Sequence, residues 1–167
     1  PNGMTTTLLN IFTKLKPNIT NERLTMPEKL YISWDEFHRH TKQLAQKIKG
    51  KGSYNKIIAV SRGGLIPAGI LAYELDIRNV EVVNMSSYDG DKQRTDDEIT
   101  IHTSVGDVDE RTLVIDDLSD TGKTFKLLRP MFPKATLAAV YAKKQGAAFA
   151  DIYVEDIPDI WVVFPWD

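Results

Sequence analysis

Two hydrophobic periodicities alternate along the chain from residue 26 onward. The runs KIIAVS, VEVV, TLVID and TLAAVYAK are continuously apolar, as expected of strands covered by helices on both faces. Between them lie segments of helical periodicity, bounded by glycines and other turn residues. This alternation predicts an α/β domain with a central, mostly parallel sheet flanked by helices.

Individual segments predict the bounds of particular helices and strands. Ser33 and Glu36 match a capping box that opens a helix, and its apolar face comprises Trp34, Phe37, Thr41, Leu44 and Ile48. Glycines at 50 and 52 end that helix. A second helix is predicted from Leu65 to Leu75 and a strand from Val80 to Tyr88. The alternating ITIHTSV predicts an edge strand or hairpin, and IYVEDI and WVVFPWD are predicted to supply the last strands.

The first 25 residues are predicted to be an extension of a domain that spans residues 26–167. Residues 1–3 are interpreted as a candidate cloning remnant, because the first methionine is Met4. Apolar residues at i, i+3, i+4 and i+7, from Leu8 to Leu15, indicate a short amphipathic helix. We favour its docking on the domain or on a second subunit over an organellar transit peptide.

Composition narrows the classes of function. The chain has 167 residues, a formal net charge of −2 and no cysteine. Because the overall charge is not basic, we expect small-molecule partners rather than nucleic acid. The absence of cysteine excludes thiolate chemistry and suits a cytoplasmic location, and no apolar run is long enough to span a membrane.

The stretch VIDDLSDTG places carboxylates directly after an apolar strand. Asp116 and Asp117 are therefore expected at the carboxyl end of a central parallel strand, where open α/β sheets bind ligands. The following residues, 120–124, combine a glycine turn, two hydroxyls and a helix start, which together make a phosphate cradle. The acids can accept hydrogen bonds from vicinal hydroxyls or hold a divalent cation, so a sugar phosphate is the expected ligand.

Two other interpretations of this stretch are less favoured. Gly122-Lys123-Thr124 matches the end of an ATP-binding P-loop, but Asp117 stands where that loop requires glycine. The acids could also simply cap a helix and solvate a strand end, although the combination with a glycine-opened helix is more specific than that.

VIDDLSDTGKT resembles the phosphoribosyl-pyrophosphate (PRPP) motif of type I phosphoribosyltransferases. The likeness extends through SRGGLIPAG, KQR, VYAK and DIPDIWVVFPWD, in the order typical of the bacterial xanthine-guanine members, and it covers Met26 to Asp167. The resemblance implies the type I phosphoribosyltransferase fold, with a flexible hood loop and a small C-terminal base-recognition region. It also implies Mg²⁺ as the cofactor, a homodimer or homotetramer, and a role in purine salvage.

The resemblance assigns roles to individual residues. Asp116 and Asp117 bind the ribose hydroxyls and help to place Mg²⁺, with Asp117 as the metal ligand. The 5′-phosphate is held by a loop and a helix start, comprising Asp120, Thr121, Gly122, Lys123 and Thr124. Pyrophosphate is held by a second loop, expected to carry a non-proline cis peptide, comprising Ser61, Arg62, Gly63 and Gly64. Arg94 reaches the same group from the hood, which has Ser87 and Tyr88 at its base.

Base recognition is assigned to the C-terminal part of the chain. Lys143 matches the lysine that contacts the purine 6-oxo group, which favours oxopurines over adenine. Trp161 matches the aromatic that stacks on the base, although core packing is its alternative interpretation. The Val162 and Asp167 backbones match contacts to the 2-substituent. Asp120 is the candidate catalytic residue, handling the N7 proton as N9 attacks. Val163 and Phe164 replace more polar residues of the bacterial pattern, so the order of base preference is left open.

The sequence therefore predicts a Mg²⁺-dependent transferase that joins guanine, xanthine or hypoxanthine to PRPP at N9 and releases pyrophosphate. A phosphoribosyltransferase for another base is one alternative. A PRPP-binding regulator that contacts RNA or DNA is another, but no concentrated basic run supports it.

Overall fold

The structure is a computed structural model that describes residues 29–87, 99–102 and 104–167. The predicted N-terminal extension and its amphipathic helix, Tyr88 and Arg94 lie outside these ranges. Twelve elements occur in chain order: β1 (Lys29–Tyr31), α1 (Trp34–Lys51), β2 (Lys56–Ser61), α2 (Leu65–Glu74), β3 (Asn79–Ser87), β4 (Ile99–His102), β5 (Thr112–Ser119), α3 (Lys123–Met131), β6 (Thr136–Lys143), a 3₁₀ turn (Ala147–Phe149), β7 (Glu155–Ile157) and β8 (Trp161–Val163).

A six-stranded sheet forms the centre of the fold, in the order β4-β3-β2-β5-β6-β7. All neighbouring pairs are parallel except β3 and β4, which are antiparallel. The predicted mostly parallel sheet is therefore confirmed, and β4 is an edge strand as expected. Strand β5 lies between β2 and β6, so the acidic stretch occupies a central position.

Successive residues of each central strand enter opposite hydrophobic cores. Ile57 and Ala59 of β2 join the core beneath α1 and α2, whereas Ile58 and Val60 join the core that includes α3. This alternation follows from the two-residue period of a strand. Because both faces are covered, the strands are apolar throughout, which explains the continuous runs in the sequence.

The first helix begins and ends where its sequence predicts. The Ser33 hydroxyl accepts a hydrogen bond from the Glu36 amide at 3.2 Å, and the Glu36 carboxylate accepts one from the Ser33 amide at 3.0 Å. The cap lies at Gly52. Four of the five residues on the predicted apolar face are buried, whereas Trp34, in the first turn, is half exposed, with its ring centroid 5.8 Å from that of Trp166.

Other boundaries differ from prediction by small amounts. Helix α2 ends at Glu74 and strand β3 ends at Ser87, each one residue before its predicted end. The segment IYVEDI contributes only the short strand β7, together with an isolated bridge between Ile152 and Ala138.

The C-terminal segment returns to the start of the domain. Strand β8 pairs in parallel with β1 to form a separate two-stranded sheet. Behind it, Phe164 stacks on Trp166 with ring centroids 4.7 Å apart and meets Phe37 of α1 edge-on at 6.2 Å. Tyr141 of β6 completes the group. These rings fix the last residues of the chain against the carboxyl end of β6.

The aromatic group gives a stability prediction. Phe37 is fully buried and contacts three other rings, so Phe37→Ala is expected to lower the free energy of unfolding by about 3–5 kcal/mol. Denaturant unfolding of the purified variant measures the change. Val80→Ala, at a half-exposed strand position, is the control and should alter it by less than about 0.5 kcal/mol. A loss below about 1 kcal/mol for Phe37→Ala would contradict this account of the core.

Candidate active site

Two adjacent carboxylates lie near the end of the central strand. Asp116 and Asp117 are half-buried in β5, at the point where the strand leaves the core. The Asp116 carboxylate accepts a hydrogen bond from the Asp117 amide at 2.9 Å, and that of Asp117 accepts one from the Leu118 amide at 2.7 Å. The backbone therefore holds both side chains at the mouth of the sheet.

Burial perturbs both groups. It raises the pKa of Asp116 well above its usual range, and the neighbouring negative charge of Asp117 adds to the shift. Burial also raises the pKa of Asp117, against hydrogen bonds that lower it, and the Asp167 carboxylate contributes in the raising direction. Two carboxylates that resist ionisation together are well suited to sharing a cation or accepting hydrogen bonds from hydroxyl groups.

A small cavity follows directly on the strand. Its volume is about 70 Å³, and it is lined by Asp116 and residues 118–125. The N-cap residue of α3, Gly122, has no side chain to cap the helix, and no acidic residue occupies the first turn. Because the positive end of the helix dipole faces this region, the cavity has the polarity and the location of an anion site.

Gly122 is essential to the shape of this cavity. It adopts a φ of +80°, which side chains rarely tolerate, and a Cβ there would lie well inside 3.0 Å of the Phe149 ring. Thr121, just before it, accepts a hydrogen bond from the Lys123 amide at 3.3 Å through its hydroxyl. The predicted cradle residues 120–124 are thus brought together around one turn.

The loop after β2 lies against the acids of β5. The Ser61–Arg62 peptide is cis, as the resemblance implied, and the Gly64 amide donates to Val60 O at 2.8 Å. A Cβ at Gly63 would overlap the Asp117 carboxylate, so the loop approaches β5 more closely than a side chain at this position would allow. Arg62 is exposed beside this contact. The two predicted anion-binding segments therefore share one edge of the sheet.

Lys143 ends the neighbouring strand β6 and faces the cradle. Its ammonium lies 3.1 Å from Asp120 Oδ1, and only 9% of the lysine side chain is exposed. The sequence placed these two residues in the same site, and the structure brings them into direct contact. A second carboxylate, Asp159, lies 3.8 Å from the same ammonium. Sequence reasoning missed Asp159, since a lone acid in a loop carries no signal until the loop is positioned.

The remaining predicted base-site residues lie in or just after β8. Trp161 is 69% exposed, so the core-packing interpretation of this residue is wrong. Val162 is buried in the same strand. Asp167 accepts a hydrogen bond from the Phe164 amide at 2.8 Å, and its own amide donates to Phe164 O at 3.1 Å. Ser87 ends β3, and its side chain is not described.

No group of three or more His, Asp or Glu side chains that could hold a metal occurs in the described ranges. A pair of adjacent carboxylates beside a phosphate-sized cavity is nevertheless a suitable donor set for Mg²⁺, which usually takes one or two carboxylates together with substrate phosphates. The site residues thus fit a metal that arrives with a phosphorylated ligand. No helix in the described parts of the chain has the length and apolar character needed to cross a membrane.

Comparison with known proteins agrees with this geometry. Residues 33–167 match the phosphoribosyl transferase domain model. The chain belongs to this family. It is 46% identical over 138 residues to a xanthine-guanine phosphoribosyltransferase from Idiomarina loihiensis, with 82% of this chain and 86% of that protein covered.

Solved structures of this family share the fold. A purine phosphoribosyltransferase from Pyrococcus horikoshii superposes with a TM-score of 0.73 and 30% identity, covering 84% of this chain and 95% of that one. A Helicobacter pylori xanthine-guanine-hypoxanthine phosphoribosyltransferase, at 24% identity, gives a TM-score of 0.68 over 83% and 93% of the two chains and supports the fold alone. The predicted fold class is therefore confirmed.

The cradle turn gives a binding prediction. Gly122→Ala places a side chain at a φ of +80° and against Phe149, so the turn must open and the cavity must lose its shape. We expect PRPP affinity to fall by about tenfold or more, as measured by calorimetry. Gly69→Ala is the control, because a Cβ there meets nothing within 4 Å. Unchanged PRPP affinity in Gly122→Ala would exclude this turn as the phosphate site.

The paired acids give a pH-dependent prediction. The pKa of Asp116 is raised in the folded state, so ionisation of this carboxyl lowers the free energy of unfolding at pH values above that pKa. At pH values below the pKa of the unfolded state, the carboxyl is protonated in both states and has no such effect. Asp116→Asn should therefore raise the free energy of unfolding at neutral pH by about 1 kcal/mol while impairing function. The gain should shrink as the pH falls through the raised pKa, as followed by thermal unfolding across pH. An equal gain in the free energy of unfolding at acidic and neutral pH would contradict a raised pKa of Asp116.

Proposed function

We propose that this protein transfers the 5-phosphoribosyl group of PRPP to N9 of an oxopurine and releases pyrophosphate. The observation that carries the proposal is the contact between Asp120 and Lys143, 3.1 Å apart, beside a phosphate-sized cavity and a pair of carboxylates. At one end of such a site, a cation that can contact the base lies beside a proton acceptor. At the other end lie the groups that can bind a sugar phosphate. The 46% identical xanthine-guanine phosphoribosyltransferase supports the same reaction.

The cradle and the acids bind the sugar phosphate in this scheme. Residues 120–124 hold the 5′-phosphate through the first turn of α3, and Asp116 and Asp117 accept hydrogen bonds from the ribose hydroxyls. Mg²⁺, when bound with Asp117 as its protein ligand, supplies charge neutralisation to the pyrophosphate oxygens. Raised pKa values at Asp116 and Asp117 agree with a site that gains a cation and a hydroxyl-rich ligand together.

The loop after β2 holds the leaving group. Ser61 supplies a hydroxyl, Arg62 a guanidinium, and the two glycines let backbone amides approach the pyrophosphate oxygens. Arg94 and Tyr88 are proposed to act from the hood, with Ser87 at its base. Closure over the site excludes water, which would otherwise attack the oxocarbenium-like sugar.

The base site supplies orientation and one proton transfer. Trp161 stacks on the purine, Lys143 donates to the 6-oxo group, and the backbone of Val162 and Asp167 contacts the 2-substituent edge. As N9 attacks the anomeric carbon, the bond from that carbon to the pyrophosphate oxygen breaks. The N7 proton passes to Asp120, which leaves a neutral base in the nucleotide.

Phe164 and Val163 bear on the choice among oxopurines. The Phe164 ring is buried and stacks on Trp166 in the aromatic group, so this departure from the bacterial pattern contributes to packing. Val163 pairs with Tyr31 in the small sheet. We propose an oxopurine, guanine, xanthine or hypoxanthine, as the substrate, with the order of preference left to the assay below. A homodimer or homotetramer, a role in salvage and a cytoplasmic location remain predictions.

The decisive assay follows pyrophosphate release with PRPP and Mg²⁺, offering guanine, xanthine, hypoxanthine, adenine and uracil separately. Turnover is expected with oxopurines only and should be abolished by a chelator. Asp120→Asn should lower kcat by about 100-fold or more, because it removes the proton acceptor.

Asp76→Asn is the matched control, since it removes a distant carboxylate at a φ of 52° that asparagine also tolerates, and it should leave turnover intact. PRPP binding without turnover on any base would overturn the transferase proposal. Salt-sensitive binding of RNA or DNA by such an inactive protein would then favour the regulator.

A further inference from the structure

We propose that Asp159 is a positioning residue that orients the Lys143 ammonium toward the 6-oxo group of the base. This inference rests on the proposed function and extends it to a residue to which the resemblance assigns no role. Asp159 lies in the loop between β7 and β8, and its Oδ1 is 3.8 Å from Lys143 Nζ. It faces the ammonium together with Asp120, whose Oδ1 is at 3.1 Å.

An ammonium group has three N–H donors, and Asp120 Oδ1, at 3.1 Å, lies within hydrogen-bond distance of one of them. Asp159 Oδ1, at 3.8 Å, is too far for a hydrogen bond and acts on the ammonium as a nearby negative charge. Only 9% of the Lys143 side chain is exposed, so water competes little for the remaining donors. A carbonyl oxygen on the base accepts from one of those donors, whereas the amino group of a 6-aminopurine does not.

The position of Asp159 is itself held by the turn after β6. The Gln145 amide nitrogen donates to Asp159 Oδ1 at 3.2 Å. That turn is anchored at Gly146, whose carbonyl accepts from the Ser119 hydroxyl at 2.8 Å and whose amide donates to Lys143 O at 2.9 Å. A Cβ at Gly146 would overlap the backbone of Ser119, so the turn and the cradle strand are in direct contact. The Asp159 side chain is 80% exposed, and this hydrogen bond ties its carboxylate to the turn that follows Lys143.

A second carboxylate also resolves a conflict in the proposed reaction. Asp120 must turn toward N7 to accept its proton, yet a lone Asp120–Lys143 ion pair would hold the two charges together. Asp159 supplies the ammonium with another counter-charge, so Asp120 can engage the base while Lys143 stays in place. Without Asp159, the pair with Asp120 would compete directly with base binding.

The test compares steady-state constants of Asp159 variants with the unmodified protein. Asp159→Asn should raise KM for the oxopurine about threefold to fivefold, the upper range for an exposed ion pair, and leave KM for PRPP unchanged. Asp159→Glu should restore KM for the base. Asp156→Asn, which removes a neighbouring exposed carboxylate that contacts Tyr153, is the matched control and should change neither constant.

A double-mutant cycle establishes whether Asp159 acts through the lysine. In a Lys143→Ala background, Asp159→Asn should have no further effect on KM for the base. An unchanged base KM in Asp159→Asn, an equal rise in the PRPP constant, or full additivity with Lys143→Ala would each overturn the assignment. Absence of oxopurine turnover in the unmodified protein would instead overturn the proposed function, and the positioning role with it.

Discussion

The parallel pairing of β2, β5 and β6 is the constraint on which the rest of the site depends. Parallel strands end at the same edge, so residues far apart in the chain arrive together without any interaction of their own. Ser61, Asp117 and Lys143 owe their proximity to this register. The two hydrophobic cores, one on each face of the sheet, hold the register in place because a slip of one residue would exchange their members.

Close approaches between these strand ends are made possible by missing side chains. Gly63 leaves space for the Asp117 carboxylate, and Gly146 leaves space for the backbone of Ser119. Each contact joins a loop to β5 at a distance that a Cβ would not allow, and together they bring the loop after β2 and the turn after β6 against the strand that carries the paired acids.

The charges of the site lower the stability of the fold and favour ligand binding. Asp116 and Asp117 lie half-buried beside each other, and their raised pKa values reflect the unfavourable free energy of ionising both groups there. Elsewhere the fold balances its buried charges: Lys56, almost fully buried, pairs with Glu81 at 2.8 Å and donates to Asp107 O. The two adjacent acids with raised pKa values thus lie at the end of the sheet where the ligand is proposed to bind, and such groups are typical of functional sites.

The sequence by itself determined the sheet class, the caps of α1 and the two segments that are proposed to bind anions, because these depend on local periodicity, on glycines and on neighbouring residues. The capping box at Ser33 and the glycine turn at Gly122 are of this kind. Only the tertiary structure decided that Trp34 and Trp161 are exposed, that Tyr141 joins Phe37 and Phe164, and that Asp159 faces Lys143. Such relations arise between segments distant in the chain, and their geometry is set by packing that no local pattern records.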